Sequence, residues 1–180
     1  MPYSAAAVAN EFLELAKREN REITPMQLQK LVYFAYGWYL AIHGRRLINE
    51  RIEAWQWGPV VPSLYGWFKP YGSQPIKGAV MLPDFTHASG LSQTFGLKFS
   101  PPRVRSNNAT EDAEAMSVIR RVWEIYGKFS AYQLSSMTHE PNSPWSRTQG
   151  KEIRGTDIPD NLIMEYFRNL ALQNEQPAQR

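Results

Sequence analysis

His139 and Glu140 stand side by side in the run Ser136-Met-Thr-His-Glu-Pro-Asn-Ser-Pro-Trp145, and an imidazole next to a carboxylate invites metal or acid–base chemistry. Metal ligation from a helix needs ligands one turn apart, and neither a second histidine nor a carboxylate stands at that spacing. The other two of the 3 histidines, His43 and His87, are far away in sequence. A single histidine just past a helix is more commonly a cap or a packed side chain than a ligand. Glu50, Glu53, Asp84, Glu111, Asp112 and Glu114 could supply a carboxylate pair. The last three, however, suit the first turn of a helix, where the macrodipole favours negative charge. No serine or threonine sits in a nucleophile elbow. Gly37, Gly58, Gly66 and Gly72 do not form a phosphate-cradling G-x-x-x-x-G-K loop. With 0 cysteines there is no thiolate nucleophile, disulfide or thiolate metal site. No catalytic, metal or cofactor residue is assigned, and the chain is expected not to be an enzyme. The enzymatic alternative would pair His139 with a distant carboxylate.

The other conspicuous chemistry is aromatic. Residues 26–72 hold Tyr33, Phe34, Tyr36, Trp38, Tyr39, Trp55, Trp57, Tyr65, Trp67, Phe68 and Tyr71, arranged around the turn Gly58-Pro-Val-Val-Pro62. Such side chains bury large areas and dominate both cores and interfaces. Tyr36, Trp38 and Tyr39 cannot all point the same way from one helix. Some must meet a second layer, solvent or another protein. Trp38, Trp57, Trp67 and Tyr71 flank the Gly–Pro turn and exceed what a core stripe needs. They are the candidate partner-binding anchors.

The elements that must position these residues are mostly helical. Ser4 is placed to cap a helix running to about residue 20, with Val8, Phe12, Leu15 and Ala16 on its inner face and Glu11, Glu14, Lys17 and Arg18 outside. Thr24-Pro25-Met26-Gln27 opens a second helix, with Gln27 able to close a capping box. Its stripes, Leu28, Leu31, Val32, Ala35 and Tyr39 on one side and Tyr33, Tyr36 and Leu40 on another, make it the central helix, ending at Gly44. Residues 47–55 read as short extended chain, Gly58-Pro59 breaks it, and Pro62 opens a short helix that Pro70 and Gly72 end. Residues 73–108 are mainly loop, with short strands expected at 76–82 and 95–99. Thr110 begins a helix ending at Gly127, with Met116, Ile119, Val122, Trp123 and Tyr126 inward. Ser130 and Gln133 form a capping box for a helix over 131–138. Pro144 starts another turn. A last amphipathic helix follows Pro159, with Leu162, Ile163, Tyr166, Phe167 and Leu170 inward. The fold class is mainly α, a compact multi-helix domain with a small antiparallel β element. Residues 1–175 are expected to form one domain and 176–180 a frayed tail.

Composition agrees. A chain of 180 residues that is 43% apolar can bury one core of ordinary size. Its 20 basic and 17 acidic residues give a net charge of +3, and Arg103, Arg105, Arg120 and Arg121 do not make a basic run. A DNA-recognition helix would expose Arg, Lys, Asn or Gln along one face, whereas the central helix presents Tyr, Trp and Leu. Nucleic acid is therefore not an expected partner. The N-terminal residues lack a basic leader followed by an apolar block, and no run of about 18 apolar residues exists for a membrane span. The absence of cysteine suits a reducing cytoplasm.

Two blocks of sequence carry a resemblance. The first runs Leu28-Gln-Lys30-Leu31-Val-Tyr33-Phe-Ala-Tyr36, then Trp55-Gln-Trp-Gly58-Pro59-Val-Val-Pro62, Tyr65 and Tyr71-Gly72. The second comprises Leu134-Ser135, Thr138-His139 and Pro144-Trp145. Together, over residues 24–145, they resemble the Panacea domain family, which includes SocA-like antitoxins and phage-associated GepA-type proteins. The resemblance implies binding rather than catalysis: an antitoxin of a toxin–antitoxin pair that neutralises a protein toxin encoded nearby through direct protein–protein interaction. It also implies two alternatives, an adaptor that delivers the toxin to a cytoplasmic ATP-dependent AAA+ protease or a phage-associated accessory protein. It leaves open a homo-oligomer, the toxin's class and any residue-by-residue site, since the motif residues could serve mainly to hold the fold.

Overall fold

A computed structural model describes residues 1–83, 98–148 and 155–175. Helix α1 (Ala5–Arg18) starts where the Ser4 side chain accepts from the Ala7 N–H. Its first amide is also bound from a distance: the Ala5 N–H donates to both Glu50 oxygens at 3.0 and 2.9 Å. Helix α2 (Pro25–His43) has Thr24 as its cap and proline at its first position, and Gly44 closes it at φ +64°, a left-handed conformation that glycine takes without steric cost. The capping box expected of Gln27 does not form. Its amide reaches across instead and donates to the Phe129 carbonyl at 2.9 Å.

The chain then forms a hairpin, β1 (Glu53–Trp55) and β2 (Gly58–Val60), paired antiparallel with Glu53 opposite Val60 and Trp55 opposite Gly58. Helix α3 (Pro62–Phe68) and a 3₁₀ turn (Lys69–Tyr71) follow. A second ribbon pairs β3 (Leu82–Pro83) with β4 (Phe99–Ser100). Of the strands expected at 76–82 and 95–99, only their ends pair, and residues 95–97 lie outside the described part. Asp84, His87 and the expected tail at 176–180 lie outside it too.

Helix α4 (Ala109–Tyr126) is capped by Asn108, one position or so earlier than the Thr110 start expected, because the Asn108 side chain accepts from the Thr110 and Glu111 amides. Helix α5 (Ala131–Thr138) has the complete Ser130–Gln133 capping box. Helix α6 (Pro144–Thr148), strand β5 (Thr156–Asp157) and helix α7 (Asp160–Glu175) are the remaining elements among the described residues. Strand β5 pairs antiparallel with β1, so the sheet order is β2-β1-β5.

Helix α2 is the hub, packing against α1, α3, α4, α5 and α7. Its aromatic girth is accounted for by that second layer. Tyr33 and Tyr36 are fully buried. Phe34 stacks on Tyr126 with centroids 4.3 Å apart, and Tyr33 and Phe34 both meet Phe167 of α7 edge-on. The approach of α7 depends on Gly37: a methyl group there would lie 2.1 Å from the Phe167 ring. The Tyr36 hydroxyl donates to Asp160 at 2.5 Å, and burial together with that carboxylate pushes its pKa up.

The expectation that Glu11 faces solvent is corrected. Glu11 is buried because it accepts from Arg103 at 2.8 Å and from the Val104 N–H at 3.2 Å. Its neighbour Asn10 pairs with both the N–H and the carbonyl of Val80. Two polar side chains of α1 thus bind segments of the 73–108 loop to the helical core. Asp112 does more than complement a helix dipole. It accepts from the Ser106 amide and from the Tyr3 hydroxyl, and these bonds hold its carboxyl below the usual range. Glu111 and Glu114 both pair with Arg45. Among the described residues, no helix is long and apolar enough to cross a membrane.

Candidate functional site

The two sequence blocks that carry the family resemblance meet at the β1–β2 hairpin. Its turn places three consecutive carbonyls, those of Trp55, Gln56 and Trp57, against the α5–α6 corner. Each faces one side chain there. The Trp145 indole N–H donates to the Trp55 carbonyl at 2.7 Å, and the Ser135 hydroxyl donates to the Trp57 carbonyl at 3.0 Å. The His139 Nε2 lies 3.4 Å from the Gln56 carbonyl, and its Nδ1 lies 2.6 Å from the Ser135 carbonyl. The imidazole also packs on the Trp145 ring, with centroids 3.7 Å apart. His139 is the C-cap of α5. It has its contacts inside this joint. Among the described residues, no group of three or more His, Asp or Glu side chains is gathered as for a metal ion.

From the other side the hairpin is held by α2. The buried Gln29 amide makes a reciprocal pair with Val61: it donates to the carbonyl at 3.1 Å and accepts from the N–H at 2.9 Å. Lys30 donates from Nζ to the Pro59 carbonyl at 3.0 Å. Gly58 lies between these supports at φ +100°. A Cβ there would fall 2.6 Å from the Thr138 Oγ1 and 2.7 Å from the Lys30 Nζ, so both space and backbone conformation require glycine.

Above this joint an open cleft of about 490 Å³ is bounded by three elements. Helix α2 contributes Pro25, Met26, Gln29 and Lys30. The hairpin contributes Trp55, Gln56, Trp57 and Val60. The α3 region contributes Leu64, Tyr65, Lys69 and Gly72. The volume lies in the range of ligand and side-chain pockets generally. Its walls are aromatic, with Trp55 and Tyr65 meeting edge-on at 4.8 Å. Among the described residues its charged lining residues are Lys30 and Lys69, and no carboxylate lines it.

Lys30 is only 1% exposed, yet it forms part of that lining. Among the described residues its one polar contact is the Pro59 carbonyl, and no carboxylate is paired with it. Burial without a counter-charge pushes its pKa down from 10.5 to about 7.

The four candidate anchors separate in space. Trp57 and Trp67 are exposed, at 62% and 48%, and Trp57 is at the cleft. Tyr71 is half-buried, packed near Phe68 with centroids 6.3 Å apart. Trp38 is elsewhere. It is half-buried on α2, donates its indole N–H to the Tyr126 hydroxyl at 3.2 Å and meets the Phe167 ring. The cleft thus groups Trp57 with Trp55 and Tyr65 rather than with Trp38. Of the motif residues, Leu28, Leu31, Tyr33 and Tyr36 are core, Pro144 is buried, and Pro62 is the first residue of α3.

The sequence motif includes Lys30 without assigning it a role, and Gln29 is not among the expected site residues. The signal was present: a lysine flanked by Leu28, Leu31 and Val32 in a helix apolar around most of its girth has no solvent face to occupy.

The family model described as Antitoxin SocA-like, Panacea domain matches residues 28–146, which span the whole joint from α2 to α6. A curated relative, Antitoxin SocA of Caulobacter vibrioides (strain NA1000 / CB15N), is 35% identical over 168 residues, covering 91% of this chain and 82% of the relative. No solved structure gives a significant match. The sequence blocks, the joint they build and both comparisons agree, and the chain belongs to the SocA-like antitoxin family with the Panacea domain.

Proposed function

We propose that this chain is an antitoxin that neutralises a protein toxin by binding it directly. The observation that carries the reading is the 35% identity to Antitoxin SocA along 91% of the chain. The structure supports a binding role physically. Trp57, Tyr65 and Trp67 are exposed on the hairpin and α3, while the aromatic side chains of α2 pack inward. Exposed tryptophan and tyrosine beside a concave surface have the composition of interface anchors. The hairpin that presents Trp57 is fixed by hydrogen bonds on both sides. A fixed anchor loses less conformational freedom on binding than a mobile one.

The test uses the protein encoded beside this one. Trp57→Ala and Trp67→Ala are each co-expressed with it and scored for growth, and each is melted as a purified protein. Loss of rescue is expected with stability within about 0.5 kcal/mol of the parent chain, because both side chains are exposed. Full rescue by the double variant would remove this face from the proposal. A further arm compares protection with and without an ATP-dependent protease. Protection in the purified, protease-free mixture is expected of direct neutralisation, and protection only with protease would replace it with delivery to that protease.

A further inference from the structure

The cleft has an unusual charge arrangement. Its walls are apolar and aromatic, and Lys69 and the buried Lys30 are among its lining residues. The Nζ of Lys30 has three hydrogens and, among the described residues, one acceptor, the Pro59 carbonyl. An isolated buried ammonium is costly unless a carboxylate or further acceptors reach it. Gln29 has both ends of its amide committed to Val61, and among the described residues no Asp or Glu borders the cleft. Two donors at the mouth are also free: the Trp57 indole and the Tyr65 hydroxyl make no hydrogen bond among the described residues. Among the described residues the charged groups of the lining are two lysines with no carboxylate beside them, so the complementary ligand is an anion that can also accept from the Trp57 indole and the Tyr65 hydroxyl.

We propose that the cleft receives an acidic anchor of the partner protein: one carboxylate, seated toward Lys30 and Lys69, on a segment whose neighbouring apolar side chain lies against Trp57 and Tyr65. This rests on the antitoxin reading above and specifies the chemistry of the surface recognised. The exposed rim favours a protein segment over a free metabolite, because Trp57 and Tyr65 extend the apolar contact beyond the cavity, as interface anchors do. Burial has pushed the Lys30 pKa down, and an arriving carboxylate restores its charge and forms a charge-assisted bond with it.

The experiment titrates the full ¹⁵N-labelled chain with the blocked peptide Ac-Leu-Glu-Phe-NH₂ and with its isostere Ac-Leu-Gln-Phe-NH₂, following the tryptophan indole N–H signals. The glutamate peptide should shift the Trp57 signal saturably and bind at least about tenfold tighter than the glutamine peptide, the span expected of a hydrogen bond to a charged group. Lys30→Met should erase the difference between the two peptides. Lys69→Glu, at an exposed position where folding is not at stake, should weaken the glutamate peptide alone. Equal binding of the two peptides, or an unchanged preference in Lys30→Met, overturns the proposal. So does binding of free acetate with no binding of either peptide, which would mark a small-anion site. In parallel the adjacently encoded toxin is titrated against parent and Lys30→Met chains. Equal affinity removes the acidic anchor and leaves the antitoxin reading standing, whereas no binding by the parent chain removes the antitoxin reading itself.

Discussion

Lys30 shows how one side chain links sequence, stability and recognition. Its ammonium is buried against the Pro59 carbonyl, with no carboxylate beside it among the described residues. Its folded pKa of about 7 lies below the 10.5 of an exposed lysine. Between those values the unfolded chain binds the proton and the folded chain gives it up, so this group makes stability rise with pH across that window. The contribution is fully present above the unfolded value and is lost as pH falls through the folded one. Unfolding in urea at pH 7.5, 8.5 and 9.5 should show the parent chain gaining on Lys30→Met by up to about 1.4 kcal/mol per pH unit. Parallel pH profiles would mean that Lys30 finds solvent or a partner. The buried tyrosines do not disturb this window. Burial pushes Tyr33 and Tyr36 up from 10.0, so their effect begins only above that pH and has the opposite sign. Residue types alone did not reveal this. The lysine was visible within an apolar helix, but the loss of its counter-charge depends on which carbonyl the hairpin brings to it.

At the scale of elements, the helices were legible because their signals are local. Ser4, Thr24-Pro25, Gly44 and the Ser130–Gln133 box each mark an end through bonds to neighbouring residues. The misreadings share one cause, polar side chains whose partners are far away in sequence. Gln27 crosses to Phe129, and Glu11 and Asn10 turn inward to bind the 73–108 loop. The aromatic anchors divide for a similar reason. Trp38 and Trp57 are alike in type, and only the arrival of α7 and Tyr126 covers the first. The hairpin joint makes a sharp test. Gln29→Leu keeps the helix but leaves the buried N–H of Val61 without a partner, while the Val61 carbonyl keeps the Tyr65 N–H. It should cost roughly 1–3 kcal/mol in a denaturant melt. A cost under about 0.5 kcal/mol would mean that the hairpin holds without this pair. Gly37→Ala probes the other side of α2. Its methyl would meet the Phe167 ring, so α7 must shift, at about 1–3 kcal/mol or more. An unchanged melting temperature would show that α7 already has room.

For the whole molecule, the two motif blocks are not two sites. They are the two halves of one joint, in which Ser135, His139 and Trp145 meet the carbonyl side of the hairpin while Gln29 and Lys30 hold its other side. Their physical effect is to fix the hairpin and the aromatic cleft beside it. A family signature can thus consist largely of buried residues, while the proposed anchors Trp57 and Trp67 are exposed beside the joint. It also accounts for His139, whose ring is committed to Trp145 and to backbone carbonyls. In the antitoxin reading this chain acts by contact with another polypeptide. Its most direct test mixes the purified chain with the purified product of the adjacent gene, free of protease, and measures residual toxin activity against the molar ratio. Activity should fall to baseline near a fixed stoichiometry with the toxin intact, and the Trp57→Ala, Trp67→Ala double variant should require a large excess. Toxin activity that stays constant at every ratio would contradict the account.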